Sequence, residues 1–241
     1  MKFAIVAAFL PAIAAAQWKT PWTYDAVDRW SALDPDYAAC AGKQQSPIDI
    51  RHAEKVDLPA LRFDYHAGPL KFLLNNGAAI RVNYHDAANF LVVGPDRYPL
   101  TQFHFHRPSE ETVDGKSYAM EIHLMHQSGD GRVVGVTVFL RAGASNATVQ
   151  KIWDHMPVRV GPETEIPGVE IDPASLLPRD LAYYRYAGSL TAPPCTEGVT
   201  WFVLRSPIAV SRAQIDAFAK LYPHNVRPVQ PLNGRTIQVS K

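Results

Sequence analysis

Between residues 72 and 140 the chain is a succession of short apolar runs punctuated by turn residues. The runs at 72–74, 80–84, 90–93 and 101–106 are separated by signals such as Asn75-Asn76-Gly77 and Gly94-Pro95-Asp96. Those at 117–126 and 133–140 follow Asp114-Gly115 and Gly129-Asp130-Gly131. Runs of this length between Gly, Asn and Asp predict strands joined by tight turns, and so an antiparallel β-rich core. Helical periodicity is confined to 148–156, 173–177 and 211–221, the last with Ser211 as N-cap ahead of Ile215, Phe218 and Leu221. Prolines at 162, 167, 173 and 178 make 161–178 a long loop, and the aromatic, Pro- and Asp-rich stretch 18–42 reads as an irregular arm over the surface. No repeat, low-complexity tract or charge block divides the chain. The pattern predicts one mainly β domain with a few short helices.

Two of these runs carry chemistry. In Thr101-Gln102-Phe103-His104-Phe105-His106 the residues alternate, so Gln102, His104 and His106 share one strand face while Phe103 and Phe105 take the other. The following run repeats the device, with Glu121, His123 and Met125 opposite Ile122 and Leu124. Two adjacent antiparallel strands bring the three imidazoles together, anchored from behind by their apolar neighbours. Three neutral imidazoles leave the fourth tetrahedral position of Zn2+ open, the arrangement of a catalytic zinc site. Each imidazole needs an acceptor on its other nitrogen, and Gln102 and Glu121 stand on the faces that can supply one. His104-x-His106-x-x-x-Glu110 also fits the first metal motif of cupin barrels. That site needs a proline–glycine turn ahead of its third histidine, which 116–122 lacks.

Composition limits the partners. With 24 Lys+Arg against 23 Asp+Glu in 241 residues the net charge is +1, which offers no attraction for nucleic acid or an anionic membrane. The start of the chain is different: Lys2, an apolar run over 3–10, Pro11, then Ala14-Ala15-Ala16 before Gln17. This predicts a signal peptide over 1–16 and export to a periplasm or the medium, the apolar run being too short for a lasting membrane anchor. In an oxidising compartment Cys40 and Cys195 can pair, the alternative being two buried thiols. Asn146-Ala147-Thr148 is a glycosylation sequon, relevant only in a host that glycosylates.

Assembled in order, the motifs resemble those of α-class carbonic anhydrases along essentially the whole mature chain. They are Gln45-Ser46-Pro47-Ile48-Asp49-Ile50, Leu74-Asn75-Asn76-Gly77, residues 102–106, Ser109-Glu110, Gly115-Lys116-x-Tyr118, Glu121-x-His123, Gly188-Ser189-Leu190-Thr191-x-Pro193-Pro194, Val199-Thr200-Trp201 and Asn225-x-Arg227-Pro228-x-Gln230. The resemblance implies a single catalytic domain over 17–241, built on a large, twisted, mostly antiparallel sheet, and a disulfide between Cys40 and Cys195. It implies reversible hydration of CO2 to bicarbonate, with zinc hydroxide as the attacking species and His104, His106 and His123 as ligands. Thr191, held by Glu110, would orient that hydroxide, and Leu190, Trp201 and Met125 would line the CO2 pocket. Gln102, Glu121 and the main-chain carbonyl of Asn225 would orient the ligands, leaving the Asn225 side chain of lesser weight. The competing reading is a carbonic-anhydrase-like binding or structural module with little or no turnover.

Two positions depart from the family pattern. Ala78 stands where the proton-shuttling histidine usually follows Asn-Asn-Gly, and alanine cannot titrate. This predicts slow turnover without buffer, with His85 the nearest histidine but expected outside the cleft. Glu111 replaces a histidine expected near Glu121, and two adjacent carboxylates cannot both ionise cheaply, so one holds a proton or turns away. Oligomeric state is not legible in the sequence.

Overall fold

Eleven strands form the main sheet in the computed structural model, which describes residues 20–241, so that the expected signal peptide lies outside the described residues. In chain order they are β1 (Glu54–Val56), β2 (Leu61–Asp64), β3 (Leu73–Asn75), β4 (Ile80–Asn83), β5 (Phe90–Val93) and β6 (Asp96–His106). Then come β7 (Met120–Gln127), β8 (Val133–Ala142), β9 (Tyr183–Ser189), β10 (Glu197–Val210) and β11 (Gln238–Ser240). Across the sheet the order is β1-β11-β9-β10-β8-β7-β6-β4-β3, with β5 bridging β2 and β6. Most joins are antiparallel, but β8 with β10 and β11 with β1 are parallel. The mainly β, mostly antiparallel expectation holds. The apolar-run reading stopped at residue 140 and so did not include β9 and β10.

The helices fall where periodicity places them. Helix α1 (Ala147–Trp153) is capped by the Asn146 side chain, which accepts from Val149 N–H, and α2 (Arg212–Ala219) by a reciprocal Ser211–Gln214 capping box. The sequon asparagine is thus a structural cap. The loop region 161–178 is partly ordered by a two-residue pairing of Glu170–Ile171 with Gly68–Pro69 and a 3-10 turn at Pro173–Leu176.

The irregular arm is more ordered than its composition suggests. It coils through 3-10 turns at Tyr24–Arg29 and Pro35–Ala41 around a short helical turn at Trp30–Leu33. Trp30 is fully buried, packed edge-on with Trp22 and Tyr24 and lying under the Arg227 guanidinium. An anchoring aromatic therefore pins the arm to the body, which the Pro and Asp content concealed.

Register explains the site. On the back of β6 and β7, Phe103 faces Leu124 and Phe105 faces Ile122, all fully buried in the larger core. On the front, His104 pairs with His123, His106 with Glu121 and Gln102 with Met125. A smaller apolar cluster of Ile48, Phe139, Val199 and Trp201 stands beside that front face. At about 25 cal/mol per Å2, burial of the phenylalanines fixes the strands far more firmly than any polar contact in front of them.

Candidate metal centre and its cleft

The three imidazoles converge. Ring centroids lie 4.8 Å apart for His104 and His106, 4.7 Å for His106 and His123, and 5.3 Å for His104 and His123. One nitrogen from each falls within 4.8 Å of the others. The opposite nitrogens are engaged: His104 Nδ1 lies 2.8 Å from Gln102 Oε1, and His106 Nδ1 lies 2.7 Å from the Asn225 carbonyl. His123 Nε2 sits 3.1 Å from Glu121 Oε1 and 3.3 Å from Glu111 Oε2. What remains is His106 Nε2 and His123 Nδ1, buried and without any hydrogen-bond partner. Orphaned buried nitrogens are costly in a finished fold, and here they face a common point, so the donor set suits a cation that prefers imidazole.

Electrostatics follow burial. Desolvation, with the neighbouring imidazoles, holds His104 and His106 well below the usual histidine range and so neutral, the form in which they ligate. Burial pulls His123 the same way, but the Glu121 and Glu111 carboxylates overcome it and raise His123.

Glu110 is buried beside these rings, its Oε2 3.4 Å from His106 Nε2 and 3.8 Å from His123 Nδ1. Arg227 N–H donates to Glu110 Oε1 at 2.7 Å. Burial pushes Glu110 up to about 7, against the pull of His123, the Arg227 amide and the Thr191 hydroxyl toward the charged form. Thr191 is itself buried, on the loop after β9.

The expected carboxylate conflict is present. Glu111 accepts from the Tyr186 hydroxyl at 2.8 Å and from Thr137 at 3.4 Å. Burial opposes ionisation of Glu111, but hydrogen bonds from His123 and Tyr186 lower it, whereas burial and the Glu111 charge raise Glu121 well above the carboxylate range. Of the pair, Glu111 is thus pulled toward the charged form and Glu121 toward the neutral one. Glu111 does not turn away.

Trp201 stands 4.6 Å from His123, centroid to centroid, with its indole N–H donating to Ser189 O. Met125 is buried and Leu190 half-buried in the same apolar cluster. Cys40 and Cys195 are joined. His85 lies past the end of β4, against Phe72 and Glu163. Ala78 is buried and its carbonyl accepts from Asn225 Nδ2. The Asn225 side chain also donates to Phe105 O and accepts from Arg107 N–H, so it is a bridge in its own right, contrary to the lesser weight given it above.

Several positioning residues escaped the sequence reading. Arg227 donates to Gln45, Ser46 and Cys40 as well as to Glu110, tying the arm to the site. The Tyr186 hydroxyl holds Glu111 and also lies within hydrogen-bond distance of Ser46 Oγ. Gly135 leaves room for Trp201, since a Cβ there would come within 2.5 Å of the indole. The motifs of the resemblance already contained Ser46 and Arg227 without their roles, and the alternation of Tyr184 and Tyr186 along β9 could have singled out a third.

Comparison with known proteins agrees with this geometry. A model of the eukaryotic-type carbonic anhydrase family matches residues 25–241. A carbonic anhydrase from Nostoc is 42% identical over 216 residues, covering 87% of this chain and 81% of that protein. The α-carbonic anhydrase of Thermovibrio ammonificans, solved with the inhibitor sulfanilamide, superposes with a TM-score of 0.87 at 41% identity, covering 93% of this chain and all of that one. Dioscorin, solved with ascorbate, gives 0.80 at 32% identity over 88% of this chain and 92% of its own. The chain therefore belongs to the α-class, or eukaryotic-type, carbonic anhydrase family and is an enzyme of CO2 hydration.

Proposed function

We propose that the chain hydrates CO2 reversibly to bicarbonate and a proton at a Zn2+ held by His104, His106 and His123. The observation that carries this is the pair of orphaned ligand nitrogens, each on a ring whose other nitrogen already has an acceptor. Zinc bound there would supply Lewis acidity, lowering the pKa of water to about 7, an effect for which carbonic anhydrases are the reference case.

The chain's own residues do the rest. Gln102, the Asn225 carbonyl and Glu121 fix the three rings. The Thr191 hydroxyl would donate to the Glu110 carboxylate, whose charged form it favours, and so be left to accept from the reacting water, which would orient it and disfavour ligands without a proton. Leu190, Trp201 and Met125 form the apolar wall against which CO2 rests. Ala78 offers no titrating group, so the proton of CO2 + H2O → HCO3− + H+ leaves through an external base. The leader over 1–16 and the disulfide support export to a periplasm or the medium, with a mature N-terminus at Gln17 that mass spectrometry reads directly.

Stopped-flow hydration on the zinc-loaded mature protein, against a chelated control and across an imidazole series, tests the reading. We expect zinc-dependent hydration whose maximal rate climbs with imidazole. Hydration no faster than the chelated control, with zinc confirmed bound, would reject it in favour of the binding-module alternative.

A further inference from the structure

Arg81 is not used by anything described above. It lies on β4 directly opposite His104 of β6, and cross-strand partners project to the same face with Cβ atoms about 5 Å apart. Asn83 pairs likewise with Gln102. The front of the sheet thus continues from the metal centre through a guanidinium toward the end of β4. Arg81 is only partly exposed, and its Nε is buried with no hydrogen-bond partner. The carboxylate nearest in effect is Glu163, but the two Glu163 oxygens are taken by Asn83 Nδ2 and His85 Nε2. A partly desolvated guanidinium without a direct partner is uncommon, because the group carries five donors suited to a forked oxyanion.

The same strand begins just after Ala78, where no side chain can take a proton. A cleft that lacks a titrating residue but presents an unpaired cation favours anionic proton carriers over cationic ones. We propose that Arg81 docks a small oxyanion of the phosphate class beside the metal centre, and that this anion takes the proton that position 78 cannot. The step balances without redox: the proton released by water addition to CO2 forms an O–H bond on HPO4 2−, which departs as H2PO4− while bicarbonate leaves separately. The proposal rests on the hydration reading above.

Two measurements separate the two. The first follows the Arg81 Nε–Hε NMR resonance of the metal-free protein during a titration with inorganic phosphate at constant ionic strength. The second compares phosphate and imidazole as accelerators of zinc-dependent hydration in the parent, Arg81→Gln and Arg81→Lys. We expect the Arg81 resonance to shift saturably and Arg81→Gln to raise the phosphate half-saturation about tenfold, the size of one lost charge-assisted contact. Imidazole half-saturation should move less than twofold. Arg81→Lys keeps the charge but not the fork and should fall between, which guards against a folding defect in the glutamine variant. Ala78→His should make hydration largely indifferent to phosphate. An unmoved Arg81 resonance, or equal phosphate curves in the parent and Arg81→Gln, would overturn the proposal. A shifting resonance in a protein with no zinc-dependent hydration would overturn the hydration reading, and the proton transfer with it, leaving an anion site alone.

Discussion

His123 and His126 stand on one strand, both fully buried, and the two faces of β7 give them opposite chemistry. His123 looks onto the front, where Glu121 and Glu111 hold one nitrogen, raise its proton affinity and leave the other nitrogen bare. His126 looks onto the larger core. There the Tyr65 hydroxyl lies 2.6 Å from its Nε2, its Nδ1 is likewise without a partner, and burial, with no carboxylate of the described residues beside the ring, drives its pKa down to about 3. Sequence spacing alone decides which is which, since alternate positions on a strand enter different media. An imidazole acquires its role from its neighbours.

The sharpest way to break the comparison is substitution at each histidine. His123→Ala should abolish stoichiometric zinc, whereas His126→Gln should retain one zinc per chain, both read by metal analysis after desalting. Loss of zinc in the second variant would mean that the two faces are not independent.

A smaller effect is expected from the acceptor alone. Gln102→Leu removes the partner of His104 Nδ1 without touching a ligand, and should weaken zinc retention by about 10–100-fold in competition with a chelator. An unchanged affinity would show that strand register by itself holds the ring.

The smallest effect belongs to the back face and appears as acid sensitivity. Folded, His126 titrates at about 3; in the unfolded chain an imidazole titrates near 6.5. Between those values the unfolded state carries the extra proton. The His126 contribution is therefore complete above about pH 6.5 and is lost as pH falls toward 3, at about 1.4 kcal/mol per unit. His126→Gln should flatten the urea-measured stability profile over that window by this slope. Parallel profiles for parent and variant would remove His126 as the cause.

The convergence of His104, His106 and His123 was legible because period-two alternation and two turn signals are local properties. Gln102 and Glu121 followed from the same parity. The roles of Arg227, Tyr186 and Gly135 were not legible, because each acts on a residue far away in sequence. The Glu110–Arg227 contact spans 117 positions and the Tyr186–Glu111 contact 75. The parallel join of β8 to β10 was hidden for the same reason, since nothing within either strand names its partner. Trp30 was missed because Pro and Asp around it read as surface, while the aromatic cage that buries it forms only in three dimensions.

The Asn225 carbonyl reaches back 119 positions to His106, and so sets a schedule as well as a geometry. A chain synthesised from its N-terminus owns all three imidazoles when barely half made, yet lacks the acceptor that turns His106 toward the others. Until the tail folds home, the donor set is a list of residues without a shape. A product cut short before residue 225 therefore carries all three imidazoles but lacks the carbonyl that orients His106.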